Sequence, residues 1–304
     1  MAEGRGCLKK TLFGCLGLIG LMVLVSVLGS MWAMNMVNRE QGTDDPVLEP
    51  VADIQTLDIE GAFPVQALGY PGRVIINMKR GEFHINPANP GEPAYVDARY
   101  DKEKYELTEQ FAMLPDSTWI YQIMFTQIES GPKTWFSSGP DPRVEIFLPM
   151  GTPFELDSIV KQGGIEAELG GLWITDADIR YSQGGFALSI SDPLQEPMNT
   201  LAIRGTMGGF AGEGLGNASP HALLVRCGMG GADVDLRGDW RNDCTVDLGV
   251  TMGGVAASVP RGVEVRGVGS GGDGEMRDAN PEVPVPVLTF TTHAKMGEVD
   301  VSQR

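Results

Sequence analysis

Cysteine is scarce, with four in 304 residues, too few for a disulfide framework to hold a chain of this length. Histidine is scarcer, with three, so the commonest general base and metal ligand has little presence. Aromatic residues reach only 7%. Lysine and arginine number 23 against 40 acidic residues, a net charge of −17. That balance excludes a general nucleic-acid binder, whose phosphate contacts need clustered basic residues. Turn formers, by contrast, are in excess. Glycine and proline make up 61 of 304 residues, about 20% against a usual ~12%. The composition points away from a helical bundle and towards a turn-dense β protein. At this length a sizeable core can be buried without staples.

One long apolar run exists, Thr11 to Met34, with no charge in 24 positions. As a helix it spans roughly 36 Å, enough for a ~30 Å hydrocarbon core with some tilt. Arg5, Lys9 and Lys10 precede it and Trp32 lies near its far end. The positive-inside rule then places residues 1–10 in the cytoplasm, 11–34 across the membrane as a single-pass signal anchor, and the rest outside. Two other readings stay open. Val27-Leu28-Gly29 before Ser30 could serve a cleaved signal peptide, and Leu12-Phe13-Gly14-Cys15 imitates a lipobox. Residues 35–50 are polar and end in Asp44-Asp45-Pro46-Val47-Leu48-Glu49-Pro50, a tether. Beyond position 39 stand 19 basic and 39 acidic residues, which keep an external domain soluble and off anionic lipid.

The second half repeats. Gly-Gly recurs at Gly163-Gly164, Gly184-Gly185, Gly208-Gly209, Gly230-Gly231 and Gly253-Gly254, at steps of 21 to 24, and Gly297-Glu298 follows after 44. Met207, Met229, Met252 and Met296 precede the last four. The flanks alternate in phase. Leu223, Val225 and Cys227 match Val246, Leu248 and Val250 on one side, and Ala232, Val234 and Leu236 match Val255, Ala257 and Val259 on the other. Period two with one apolar face is a half-buried strand, and the glycines between two strands read as a corner. The fold expected is therefore all-β: a repetitive β-solenoid or β-roll with two strands per rung of about 22 residues, over 151–304. Residues 51–150 lack the period. Thr56–Ile59, Arg73–Met78, Phe83–Ile85, Ala94–Ala98, Trp119–Ile123 and Val144–Leu148 still read as strands, forming irregular rungs or a cap. Asp101–Gln110 also admits a short helix.

Leu169-Gly170-Gly171-Leu172, Leu215-Gly216-Asn217-Ala218-Ser219-Pro220, Met229-Gly230-Gly231 through Arg237-Gly238-Asp239-Trp240, and Met252-Gly253-Gly254 through Pro260-Arg261-Gly262-Val263 together resemble toastrack-type domains of bacterial envelope proteins. The LiaF-like domains of the cell-wall-active antibiotic response and the adhesin-head domains are cousins. The likeness covers roughly Ile54 to Arg304. It implies a membrane-tethered β-solenoid linked to envelope-stress sensing or scaffolding, with no catalytic residues to carry over.

Catalytic motifs are thin. His84, His221 and His293 are isolated, and no Gly-x-Ser-x-Gly, His-Glu-x-x-His or P-loop occurs. Gly267–Gly272 fits a dinucleotide glycine pattern but is followed by Asp273-Gly274-Glu275 rather than a helix. Asp273, Glu275 and Asp278, on the acidic loop 271–280, form a candidate cation site without the tandem copies of a calcium-binding roll. Asp176, Asp178, Asp233, Asp235 and Asp247 are expected to point outward, as a lyase or hydrolase face would need. Cys227 and Cys244 fall six residues out of register, too far for a disulfide. Asn217-Ala218-Ser219 matches a glycosylation sequon and reads as a turn.

The expectation is a non-enzymatic, single-pass cell-envelope protein with an extracytoplasmic domain and no cofactor, metal or catalytic residues. Its partners would be an envelope protein or wall glycan, with self-association through the last rung near Val299–Arg304. The alternative is a solenoid that binds or cleaves carbohydrate, for which Trp173 and Trp240 are the aromatics available in the repeats.

Overall fold

The computed structural model describes residues 69–128, 142–267 and 285–303. The expected anchor, the tether, Thr56–Ile59 and the acidic loop 271–280 lie outside these residues. Among the described residues no helix is long and apolar enough to cross a membrane.

All regular elements are strands, apart from a 3-10 turn at Leu215–Ala218. In chain order they are β1 (Gly72–Pro87), β2 (Tyr95–Arg99), β3 (Tyr105–Met113), β4 (Trp119–Gln127), β5 (Arg143–Leu148), β6 (Phe154–Glu168), β7 (Ile174–Gln183), β8 (Phe186–Ser189), β9 (Thr200–Met207), β10 (Phe210–Glu213), β11 (Ala222–Asp235), β12 (Cys244–Val259), β13 (Glu264–Arg266) and β14 (Val287–Gln303). The all-β expectation holds.

Two parallel ladders run side by side. The first joins the front half of β1 to β6, then β7, β9, β11, β12 and β14. The second joins the back half of β1 to β6, then β8, β10, β11, β12 and β14. Between the ladders the first glycine of each pair stacks on the one before. Built on Gly163, Gly184, Gly208, Gly230, Gly253 or Gly297, a Cβ would fall 1.7 to 1.9 Å from the preceding glycine's carbonyl oxygen. The column starts at Gly81, which sequence reading did not include. β1 is thus a rung like the later ones, with Arg73–Met78 and Phe83–Ile85 on a single strand.

Side chains alternate about this column. On the first ladder the inward positions include Val74, Leu156, Ala177, Leu201, Leu223, Val246 and Phe290, all buried and in register. On the second, Phe83, Ile165, Phe186, Phe210, Ala232 and Val255 do the same. Both sets join one core, where each fully buried Leu, Ile, Val or Phe contributes about 1.5–3 kcal/mol.

The end beyond β1 is closed differently. β4 and β5 pair in parallel with the two halves of β1. β3 and β2 then run antiparallel on β4 and β5. Tyr105–Met113 is therefore a strand, not the helix that Asp101–Gln110 admits. Its Glu, Leu, Gln and Ala favour helix only weakly, and pairing of Leu107 with Phe125 and Phe111 with Tyr121 outweighs that preference. Trp119 lies across Gly72, where a Cβ would come within 2.0 Å of the indole.

Candidate functional site

The outward face of the first ladder carries charge in columns. Arg180, Arg204 and Arg226 occupy one register position on β7, β9 and β11. Parallel strands about 4.8 Å apart would set three like charges against one another. Aspartates on the neighbouring column offset this. Asp178 accepts from Arg180 at 2.6 Å and also from Arg204, while Asp247 accepts from Arg226. Gly249 makes room for this last pair, since a Cβ there would meet the Arg226 guanidinium. Arg73 bonds Asp157 at 2.6 Å on the same face. Hydrogen bonding to Asp157 and Asp178 holds the Arg73 and Arg180 guanidinium pKa values above their usual range.

The acids expected to point outward do so, but as partners. Asp176 accepts from the Asn199 amide at 3.0 Å. Asp235 is held by Arg237 at 2.5 Å, and that hydrogen bond keeps its carboxyl below the usual 3.8. Asp233 shares its strand and is exposed. The three histidines are not brought together. His84 sits between Glu82 (3.3 Å) and Glu166 (3.2 Å), and His293 lies 3.6 Å from Asp247. His221 is exposed on the turn before β11. Among the described residues no cluster of three or more metal-ligating side chains forms.

The outward face of the second ladder is flatter. His84, Glu166 and Glu213 border a shallow groove of about 320 Å³, floored by Ala187 and Ala211. Trp240 does not offer a stacking platform for a sugar. It is buried, donates to the Leu236 carbonyl at 2.7 Å, and covers Gly216.

The two cysteines take their expected register. Cys227 lies beside Val250 in the inward column, and the residue after Cys244 pairs with Ala222. Both thiols are free and buried; burial pushes Cys227 up and Cys244 up to about 12. Asn217 and Ser219 are turn residues, as expected, but they bond across rungs rather than locally. The Asn217 amide donates to the Ile190 carbonyl (2.7 Å), and its oxygen accepts from the Asp239 backbone (2.9 Å). The Ser219 hydroxyl accepts from the Arg241 and Asn242 backbones (2.7 and 3.0 Å).

No family model matches the chain. No curated protein matches it either. Two solved structures are similar at a distance. One is a protein from Clostridium sporogenes provisionally assigned to cell adhesion, 13% identical over 83% of this chain and 98% of its own, with a TM-score of 0.36. The other is a provisional adhesin from Bacteroides fragilis, 10% identical over 77% of this chain and 93% of its own, with a TM-score of 0.29.

The ends of the stack differ. β3 and β2 close the first end in reverse direction. At the other, β14 pairs with β12 along its length, but its outer edge meets only β13, over Val287–Thr289. Among the described residues, the edge from 290 to 303 is without a strand partner. Sequence reading noted this last rung but missed the arginine column. The signal was present: each arginine stands four residues before a corner glycine.

Proposed function

We propose that this chain is a single-pass, membrane-anchored cell-envelope protein. Its extracytoplasmic part would be a two-ladder β-solenoid that works by contact with a protein or the cell wall, as an envelope sensor or scaffold, rather than by catalysis. The observation that carries this reading is the open edge of β14 on a stack whose opposite end is closed. A long strand edge with unpaired backbone groups is a template for strand addition. The outward aspartates support the reading, because most of those on the first ladder are spent on arginine or asparagine.

In-cell crosslinking of the full-length protein followed by mass spectrometry, with and without a wall-active antibiotic, tests it. Links from β14 to a membrane or envelope protein are the expected result. Recovery of glycan alone would favour a carbohydrate-binding protein. Cysteine-accessibility labelling on either side of residues 11–34 tests the anchor; labelling of both flanks from the same side would remove it.

A further inference from the structure

The outermost rung has a sequence that is complementary to itself. In β14 the inward positions are Phe290, Thr292 and Ala294 before the corner, and Val299 and Val301 after it, as their partners Val246, Leu248, Val250, Val255 and Ala257 on β12 show. The corner switches the inward set from even to odd numbers. A second β14 laid antiparallel, with a two-fold axis between Met296 and Gly297, therefore matches inward residues with inward ones. Ala294 then meets Val299 of the second copy, and Thr292 meets its Val301. On the outward face Lys295 meets Glu298 and His293 meets Asp300. Each corresponding charged pair has opposite signs when the histidine is protonated, and the two-fold repeats every contact.

The apolar column also calls for a cover. Phe290 is buried, yet Val299 and Val301, which continue the core columns, are only partly buried at the edge. The fold itself contains the required geometry. At its other end β3 and β2 run in reverse over β4 and β5, covering both ladders with one antiparallel rung. A second copy of β14 would do the same here.

We propose that two copies of this chain join edge to edge through β14, antiparallel, about a two-fold axis between Met296 and Gly297. The pairing rests on the reading of the β14 edge as a docking surface and names its occupant.

The test is sedimentation velocity of the full-length protein in detergent. The wild type is expected to dimerise. Lys295→Glu alone, or Glu298→Lys alone, places two like-charge pairs in each dimer and should weaken association about tenfold or more. Mixing the two variants in equal amounts should restore dimers, because every pair across the interface is again opposite in charge. Thermal melts of the variants verify that each is folded. A monomeric wild type overturns the proposal, as does a mixture that associates no better than its components. Dimerisation through the membrane segment would ignore both charge changes and would overturn it too. If the wild type is a monomer while β14 crosslinks to another protein in cells, the edge reading stands and the pairing of copies falls. If nothing crosslinks and the 290–303 amides are protected from exchange in the monomer, both fall.

Discussion

At each corner only the first glycine of the pair is confined. Gly230 has φ 136° and its Cβ would sit 1.9 Å from the Gly208 carbonyl oxygen, while the Cβ of Gly231 would meet only the Gly254 carbonyl oxygen, at 3.6 Å. This explains why glutamate can follow Gly81 and Gly297. Gly230→Ala should therefore cost more than about 3 kcal/mol in denaturant unfolding, and Gly231→Ala less than about 1. Equal costs would mean that the corner is not held by backbone contact. A second residue pair is coupled inside the core. The Tyr181 ring fills the space over Gly205 and its hydroxyl reaches Cys227 at 3.9 Å; burial raises the tyrosine's pKa. Gly205→Ala would drive a methyl into that ring. Its cost should shrink in the Tyr181→Leu background, a non-additivity that a double-mutant cycle measures.

At the scale of elements, the antiparallel strands β3 and β4 carry a buried polar contact that the parallel ladders lack. The Tyr121 hydroxyl donates to Glu109 at 2.5 Å. Burial raises the Glu109 pKa above its ordinary 4.5, against the opposing effect of the tyrosine hydrogen bond. A carboxyl raised on folding binds its proton more tightly in the native state. Its contribution is full below the unfolded value and is lost as pH rises through the folded one. Glu109→Gln should therefore flatten the pH dependence of unfolding across the mildly acidic range. An unchanged profile would place the titration elsewhere. The arginine column shows how parallel register imposes an electrostatic problem and solves it. Arg180 and Arg204 share Asp178, so Asp178→Asn should lower the melting temperature more at low salt than at high salt.

For the whole molecule, the rung is the unit. β11 and β12 are in register at an offset of 23 residues, Met229 opposite Met252. Excision of residues 231–253 would join Gly230 to Gly254 and remove one rung without changing the register of the rest. Stacked repeats draw their stability from neighbour contacts, so the shortened chain should fold with an unchanged far-ultraviolet circular dichroism shape and a lower melting temperature. Loss of the β signal would show that the stack is not modular. Much of this architecture was legible beforehand, because a glycine column and alternating apolar columns recur at a fixed step, and a local repeat needs no knowledge of distant contacts. The sequence by itself determined the β class, the corners from Gly163 onward, the inward place of Tyr181 and Cys227, and the outward aspartates. Tertiary structure alone decided the rest. It added Gly81 to the glycine column across the whole β2–β5 excursion, turned Tyr105–Met113 into a strand, reversed the closing rung, and paired each aspartate with its arginine. Those features depend on contacts between residues far apart in the chain, where pairing and burial outweigh the weak local preferences that a sequence displays.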